Sequence, residues 1–292
     1  MNVPSYGRPR AFTVVLSVLV LSVVVGGVAV AAGPAIQTFT PRSERQITNI
    51  DVLRQQIRNY YGDPLGTGVF ADDSYYAKEA GHVAAAGTRW LDARAHSRWP
   101  GYGWSNGHKQ RAIVLDVDDT TLTTWNYEIY SNWAYNAQFP LSNPPKTMSN
   151  ADFVLAELFP ATPGMVDMVK KAAKEGYAIF FITGRPATQE AATLGNLGNV
   201  GYPSPTTLGN GEDGLFTKPA TTDYPQYLVD ECGQTNGVNN SCSTIQYKSA
   251  TRAHIESLGY DIEANFGDQF SDLKGGYADK TFKMPNPNYY LP

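Results

Sequence analysis

The chain has 292 residues, 42% of them hydrophobic and 17% charged, enough for one sizeable core and far from the composition of a disordered chain. Its 23 Lys and Arg against 27 Asp and Glu leave a formal net charge of −4, which supplies no global attraction to a nucleic acid polymer. Any anionic ligand must therefore be held by local groups.

Arg8 and Arg10 precede an uncharged apolar run from Ala11 to Ala32 that ends near the small residues Ala29-Val30-Ala31. Residues 1–32 thus have the grammar of a signal peptide, and a secreted, extracellular protein is expected. About 20 apolar residues also suffice to cross a bilayer, so an N-terminal membrane anchor facing outside is the alternative, with membrane contact only if the segment is retained. No Cys lies near it to carry a lipid. Residues 33–45, bearing Pro and Thr, read as a linker, and the folded domain is expected over 46–292.

Two helices are predicted first. From Ile47 to Tyr61, the apolar positions Ile47, Ile50, Leu53, Ile57 and Tyr60 recur at three and four residue steps, the spacing of one helical face. Ser74 to Ala95 repeats that spacing with Tyr76, Ala80, Val83, Gly87 and Trp90, its Ala content favours helix, and Asp73 is placed to cap it. His82 in that helix reads as a packed or surface histidine.

Two dense apolar runs follow, Ala112 to Leu115 and Ala178 to Ile182, each ending abruptly in polar residues, and a third candidate strand, Ile262 to Phe266, ends in Gly267-Asp268. The second follows a helix predicted over Met165 to Glu175, entered by Pro163-Gly164; the third follows an amphipathic stretch from Ser249 to Leu258 stopped by Gly259. Short runs without alternation are strands buried on both faces. The grammar of helix, apolar strand and polar tip predicts an α/β fold, Rossmann-like, with a central parallel sheet flanked by helices and ligands beyond the strands' carboxyl ends. Two stretches break the rhythm and read as small cap or flap insertions, near 125–160 and near 209–244. Trp125, Asn126 and Tyr127 in the first are placed either to line a pocket or to pack in the core or a flap. The second holds the two cysteines, Cys232 and Cys242, separated by a flexible polar stretch; a disulfide is expected outside the cell, and a zinc site lacks further Cys or His nearby.

At the first strand tip Asp116 and Asp118 lie two apart, on one side of an extended chain, with Val117 on the other. Two carboxylates in one place call for a divalent cation or a shared proton. Asp119 adjoins them without an assigned role, and Thr120 with Thr121 can fix the turn. At the second tip Thr183 offers a hydroxyl, Gly184 permits close approach and Arg185 adds a cation at the rim. Beyond the third, Asp268 and Asp272 share a side if a helical turn starts at Asp268, and could supply hard oxygen ligands for Mg²⁺. Lys248 is the natural counter-charge to these acids.

The ordered set Asp116-Val117-Asp118-Asp119-Thr120, Thr183-Gly184-Arg185, Lys248 and Gly267-Asp268-Gln269-Phe270-Ser271-Asp272 resembles the four motifs of the haloacid dehalogenase (HAD) superfamily. Within it the chain is similar, from about residue 46 onward, to the plant storage-protein-like and bacterial class B and C secreted acid phosphatases, a likeness carried by Pro163-Gly164, Phe181 to Pro186 and Pro285 to Tyr290. The resemblance implies a Mg²⁺-dependent phosphomonoesterase acting on a small-molecule phosphomonoester. Asp116 is then the nucleophile that forms an aspartyl-phosphate, and Asp118 the acid for the leaving alcohol and the base for water. Thr183, Gly184 and Lys248 hold the phosphoryl oxygens. Asp116, the backbone carbonyl of Asp118, Asp268 and Asp272 hold the metal. A nucleotide-preferring phosphatase or a phosphotransferase would use the same residues, and a non-catalytic extracellular storage or binding protein is expected to lack the nucleophile. None of His82, His96, His108 and His254 sits in an Arg-His-Gly setting, and no Gly-x-Ser-x-Gly elbow is present. Oligomeric state is not specified by any of these features.

Overall fold

The computed structural model describes residues 40–97, 109–134 and 148–291. The apolar run from Ala11 to Ala32 lies outside them, and among the described residues no helix is long and apolar enough to cross a membrane.

Helices α1 (Ile50–Tyr60) and α2 (Tyr75–Ser97) open the described fold. Asn49 starts α1 three residues later than the periodicity predicts, because its side chain accepts from the amides of Asp51 and Val52. Ile50 and Leu53 stay exposed, while Ile57 packs on an aromatic cluster of Tyr61, Tyr76 and Trp125. The cap of α2 is Ser74 rather than Asp73: its Oγ accepts from Ala77 N at 3.1 Å and its carbonyl from Lys78 N at 3.1 Å. Gly87, a poor helix former, has a packing reason. A Cβ there would lie 2.6 Å from the Phe266 ring, so only glycine lets α2 sit this close to the sheet.

The strands are β1 (Gln110–Leu115), β2 (Ala178–Pro186), β3 (Leu215–Lys218), β4 (Gln234–Thr235), β5 (Val238–Asn239), β6 (Tyr260–Gly267) and β7 (Thr281–Lys283). Five of them form one parallel sheet in the order β3-β2-β1-β6-β7. Ile113, Leu115, Phe181 and Phe266 join one core cluster with residues of α2 and of α5 (Met165–Lys174). Ala112, Val114, Phe180 and Ile262 join another with residues of α7 (Gln226–Cys232) and α8 (Thr244–Ser257). Both faces of the sheet are therefore buried, the arrangement that the unalternating apolar runs require.

Short helices α3 (Trp125–Ser131) and α4 (Asn150–Leu155) occupy the described parts of the first irregular stretch, and α6 (Glu190–Asn199) leads from β2 toward β3. The second irregular stretch is not wholly an insertion. Leu215 to Lys218 within it is the edge strand β3, paired with β2 through Phe181 and Ile182. After it come α7 and a two-residue hairpin of β4 and β5, closed by the Cys232–Cys242 disulfide with Cα atoms 5.3 Å apart. The chain builds β1, β2 and β3 outward on one side, then crosses to β6 and β7 on the other. The strand order therefore reverses between β1 and β6, which makes their carboxyl ends the favoured place for a ligand.

Candidate active site

The first tip leaves β1 at Asp116. The chain does not stay extended: Val117 O accepts from the amides of Thr121 and Leu122 at 3.0 and 2.9 Å, while the Val117 side chain enters the core. Asp119 adopts a left-handed backbone (φ 51°), which Asp tolerates better than most side chains. Its buried carboxylate accepts from Thr124 N at 3.0 Å, Thr124 Oγ1 at 2.6 Å and Tyr289, so Asp119 closes the turn that presents its two neighbours. Burial, with the nearby Asp118 adding, pushes the Asp119 carboxyl up to about 6 against these donors.

Asp116 and Asp118 receive different cations. Lys248, on α8 and almost wholly buried, donates to Asp116 Oδ1 and, at 2.6 Å, to Asp272 Oδ1. Asp118 faces Arg185, whose Nε and Nη2 reach its two carboxylate oxygens at 3.1 and 2.7 Å. Arg185 is itself buried, donates to Thr193 Oγ1 at 3.0 Å and lies over the Phe159 ring. It is thus not a cation at the rim but part of the packed floor. A three-residue Thr-Gly-Arg signal could not distinguish the two.

Asp268 and Asp272 approach one another, but not through a helical turn starting at Asp268. Gln269 is extended, and the single turn α9 (Phe270–Leu273) begins after it; Asp272 reaches back to accept from Gln269 N at 2.8 Å. Gly267 makes this possible, since a Cβ there would collide with the Asp272 side chain. Asp116, Asp268 and Asp272, all buried, can bring one oxygen each to within 4.8 Å of one another. Such a crowd of acids is costly when charged. Burial pushes Asp116 up to about 7, with Lys248 opposing and Asp272 and Asp118 adding, and it pushes Asp268 well above the carboxylate range, with Asp272 and Asp116 adding. An all-oxygen set of acids of this kind is what a hard divalent cation suits.

Thr183, fully buried at the β2 tip, accepts from Arg185 N at 3.1 Å through its Oγ1. Beside it Gly184 is exposed, and a Cβ there would meet no atom within 4 Å. Open space therefore adjoins Gly184, while the Thr183 hydroxyl is itself buried. Trp125 does not line that space. It is fully buried, stacked on Tyr61 at 4.0 Å and donating through Nε1 to Asp63 Oδ2 at 3.1 Å, so packing explains it.

Residues 46–292 match the family described as HAD superfamily, subfamily IIIB (Acid phosphatase), and the chain belongs to that family. Among curated relatives it is 28% identical over 189 residues to the stem 28 kDa glycoprotein of Glycine max, a match covering 63% of this chain and 61% of that one. It is 29% identical over 183 residues to acid phosphatase 1 of Solanum lycopersicum (61% and 58% covered) and 26% identical over 182 residues to vegetative storage protein 2 of Arabidopsis thaliana (61% and 56% covered). The chain thus spans about three fifths of the length of these plant relatives. The fold is that of the class C acid phosphatase from Bacillus anthracis solved with tungstate bound, with a TM-score of 0.54 at 20% identity, covering 82% of this chain and 86% of that one.

Proposed function

We propose that the protein is a secreted phosphomonoesterase of small molecules that works through an aspartyl-phosphate on Asp116. The observation that carries this reading is the setting of Asp116. It lies at the β1 tip, beside the strand-order reversal, held by a buried lysine within a cluster of acids and next to a second carboxylate that is partly open to solvent. A carboxylate nucleophile splits one difficult displacement into two easier ones.

In the first step an Asp116 carboxylate oxygen attacks phosphorus and the bond to the leaving oxygen breaks, while the Asp118 carboxyl gives that oxygen its proton. In the second, Asp118 as carboxylate takes a proton from water attacking the same phosphorus; inorganic phosphate leaves and the Asp116 carboxylate is regenerated. A positioned acid and base of this kind contributes about 10²–10⁴-fold. Lys248 and Thr183 would hold the phosphoryl oxygens, a reading supported by the open space at Gly184, where a Cβ would meet no atom within 4 Å. Asp116, Asp268, Asp272 and the Asp118 carbonyl would hold Mg²⁺, which when bound supplies charge neutralisation at the transferring group. The Cys232–Cys242 disulfide supports a location outside the reducing cytosol.

The test is turnover of an aryl phosphate by purified protein with Mg²⁺. Asp116→Asn should lower kcat by on the order of 10³-fold or more, in keeping with loss of an essential nucleophile. EDTA should abolish wild-type turnover and Mg²⁺ should restore it. Wild-type rates in Asp116→Asn would overturn the nucleophile, and indifference to EDTA the cation.

A further inference from the structure

The last described residues, 284–291, form neither helix nor strand, yet they are tied down at nearly every step. Met284 N donates to Gly267 O at 2.9 Å, Asn286 Nδ2 to Asp268 Oδ2 at 2.7 Å, Asn288 Nδ2 to Tyr61 Oη at 2.9 Å and Leu291 N to Gln269 Oε1 at 3.1 Å. Pro285 and Pro287 flank Asn286. Each fixes its own φ, and Pro287 also holds Asn286 away from helical backbone, so little freedom remains to be lost when Asn286 meets its partner.

The consequence falls on Asp268. Its Oδ2 accepts two amide donors, Gln269 Nε2 at 2.6 Å and Asn286 Nδ2 at 2.7 Å, whereas among the described residues Oδ1 accepts only Thr120 Oγ1, at a long 3.3 Å. The Gln269 amide is held in turn by the segment, through Leu291 N. One oxygen of Asp268 is thus pinned from two sides, and the other is left for the space shared with Asp116 and Asp272.

From this we infer that Asn286 is a positioning residue for Asp268: its amide fixes the carboxylate orientation on which cation affinity of the cluster depends. The inference rests on the cation reading of that cluster. Partners one shell outside the ligands typically set metal affinity by 10- to 100-fold, so an effect of about tenfold or more is expected here.

The experiment measures binding of Mn²⁺ to the purified full chain by electron paramagnetic resonance, without turnover, and follows thermal unfolding in parallel. Asn286→Ala should weaken Mn²⁺ about tenfold or more. Asn288→Ala, which loses the tie to Tyr61 but not to Asp268, should stay within about twofold of wild type. If Asn286→Ala does not fold, Asn286→Leu keeps the bulk, removes the donor without adding charge and carries the same expectation. Wild-type affinity in the Asn286 variant would overturn the inference, as would equal weakening by Asn286→Ala and Asn288→Ala, since the segment as a whole would then set the affinity. A wild-type chain that binds no Mn²⁺ would overturn the cation reading itself, a result distinct from either.

Discussion

Two cation–carboxylate pairs meet at the tip of β1, and they are not equivalent. Lys248 and Asp116 are both closed off, with side chains 5% and 8% exposed, and the lysine is shared with Asp272. Arg185 is as deeply buried, but its partner Asp118 is 29% exposed. The first pair sits where water is scarce, so its charges act strongly on one another and on anything that enters. The second fixes the direction of a carboxylate whose outer side still meets solvent and an arriving molecule. The difference matches the two tasks proposed above, attack for the enclosed acid and proton transfer for the open one.

The comparison breaks most severely at Lys248. Lys248→Met keeps the bulk and removes the charge, leaving Asp116 and Asp272 buried against one another. Taking one partner from a buried pair costs about 3–5 kcal/mol, and losing one stabilising donor in a phosphoryl site costs about 10²–10³-fold in kcat. The expected result is a kcat reduced by about 10²-fold or more together with a lowered melting temperature. A cation at the cluster should recover part of the stability and little of the rate. Steady-state kinetics with thermal melts at two Mg²⁺ concentrations would test this, and near-wild-type kcat would remove Lys248 from the site.

Arg185→Lys is a finer probe of the second pair. Lysine keeps the charge but cannot reproduce the two-pronged contact with Asp118 while lying over the Phe159 ring as the guanidinium does. Charge-assisted hydrogen bonds are worth about 1.5–3 kcal/mol, so kcat should fall roughly tenfold. KM should change little, because the role proposed for Asp118 is on the leaving oxygen rather than on phosphate binding. A KM effect that exceeds the kcat effect would instead assign Arg185 to holding substrate.

Much of this candidate site was legible in the sequence because most of its pieces stand at the ends of recognisable strands. Asp116 and Thr183 stand directly after apolar runs that read as buried strands, Asp268 follows the end of β6, and Lys248 lies on the helix before β6. What was not legible depends on three-dimensional context. Whether Arg185 faces solvent or the core is decided by Thr193 and Phe159, neither of which is marked by its own neighbourhood. The strand β3 is four residues long at a sheet edge in a Gly and Thr rich stretch, too short to register as a period. The register of α9 turned on Gln269 being extended, and Asp119 earned its structural role from a left-handed turn that sequence alone does not announce. Asn286 could be seen only as part of a Pro and Asn run without periodicity.

Glu128 on α3 sharpens the comparison from the opposite direction. It too is buried, but the charge acting on it is another acid, Asp119; burial first and Asp119 second push its carboxyl up to about 8. The folded value lies above that of the unfolded chain, near 4.5. Between these two pH values the folded protein keeps a proton that the unfolded chain has released, so stability falls as pH rises through the window and is level below it. Glu128→Gln removes this dependence while keeping the shape. The melting temperature of the variant relative to wild type should therefore be flat near pH 4 and climb between pH 5 and pH 8, by about 5 °C for a shift worth about 1–3 kcal/mol. A constant difference across that range would mean that Glu128 is ionised in the folded protein, and that an acid can be buried here without a cation of its own among the described residues.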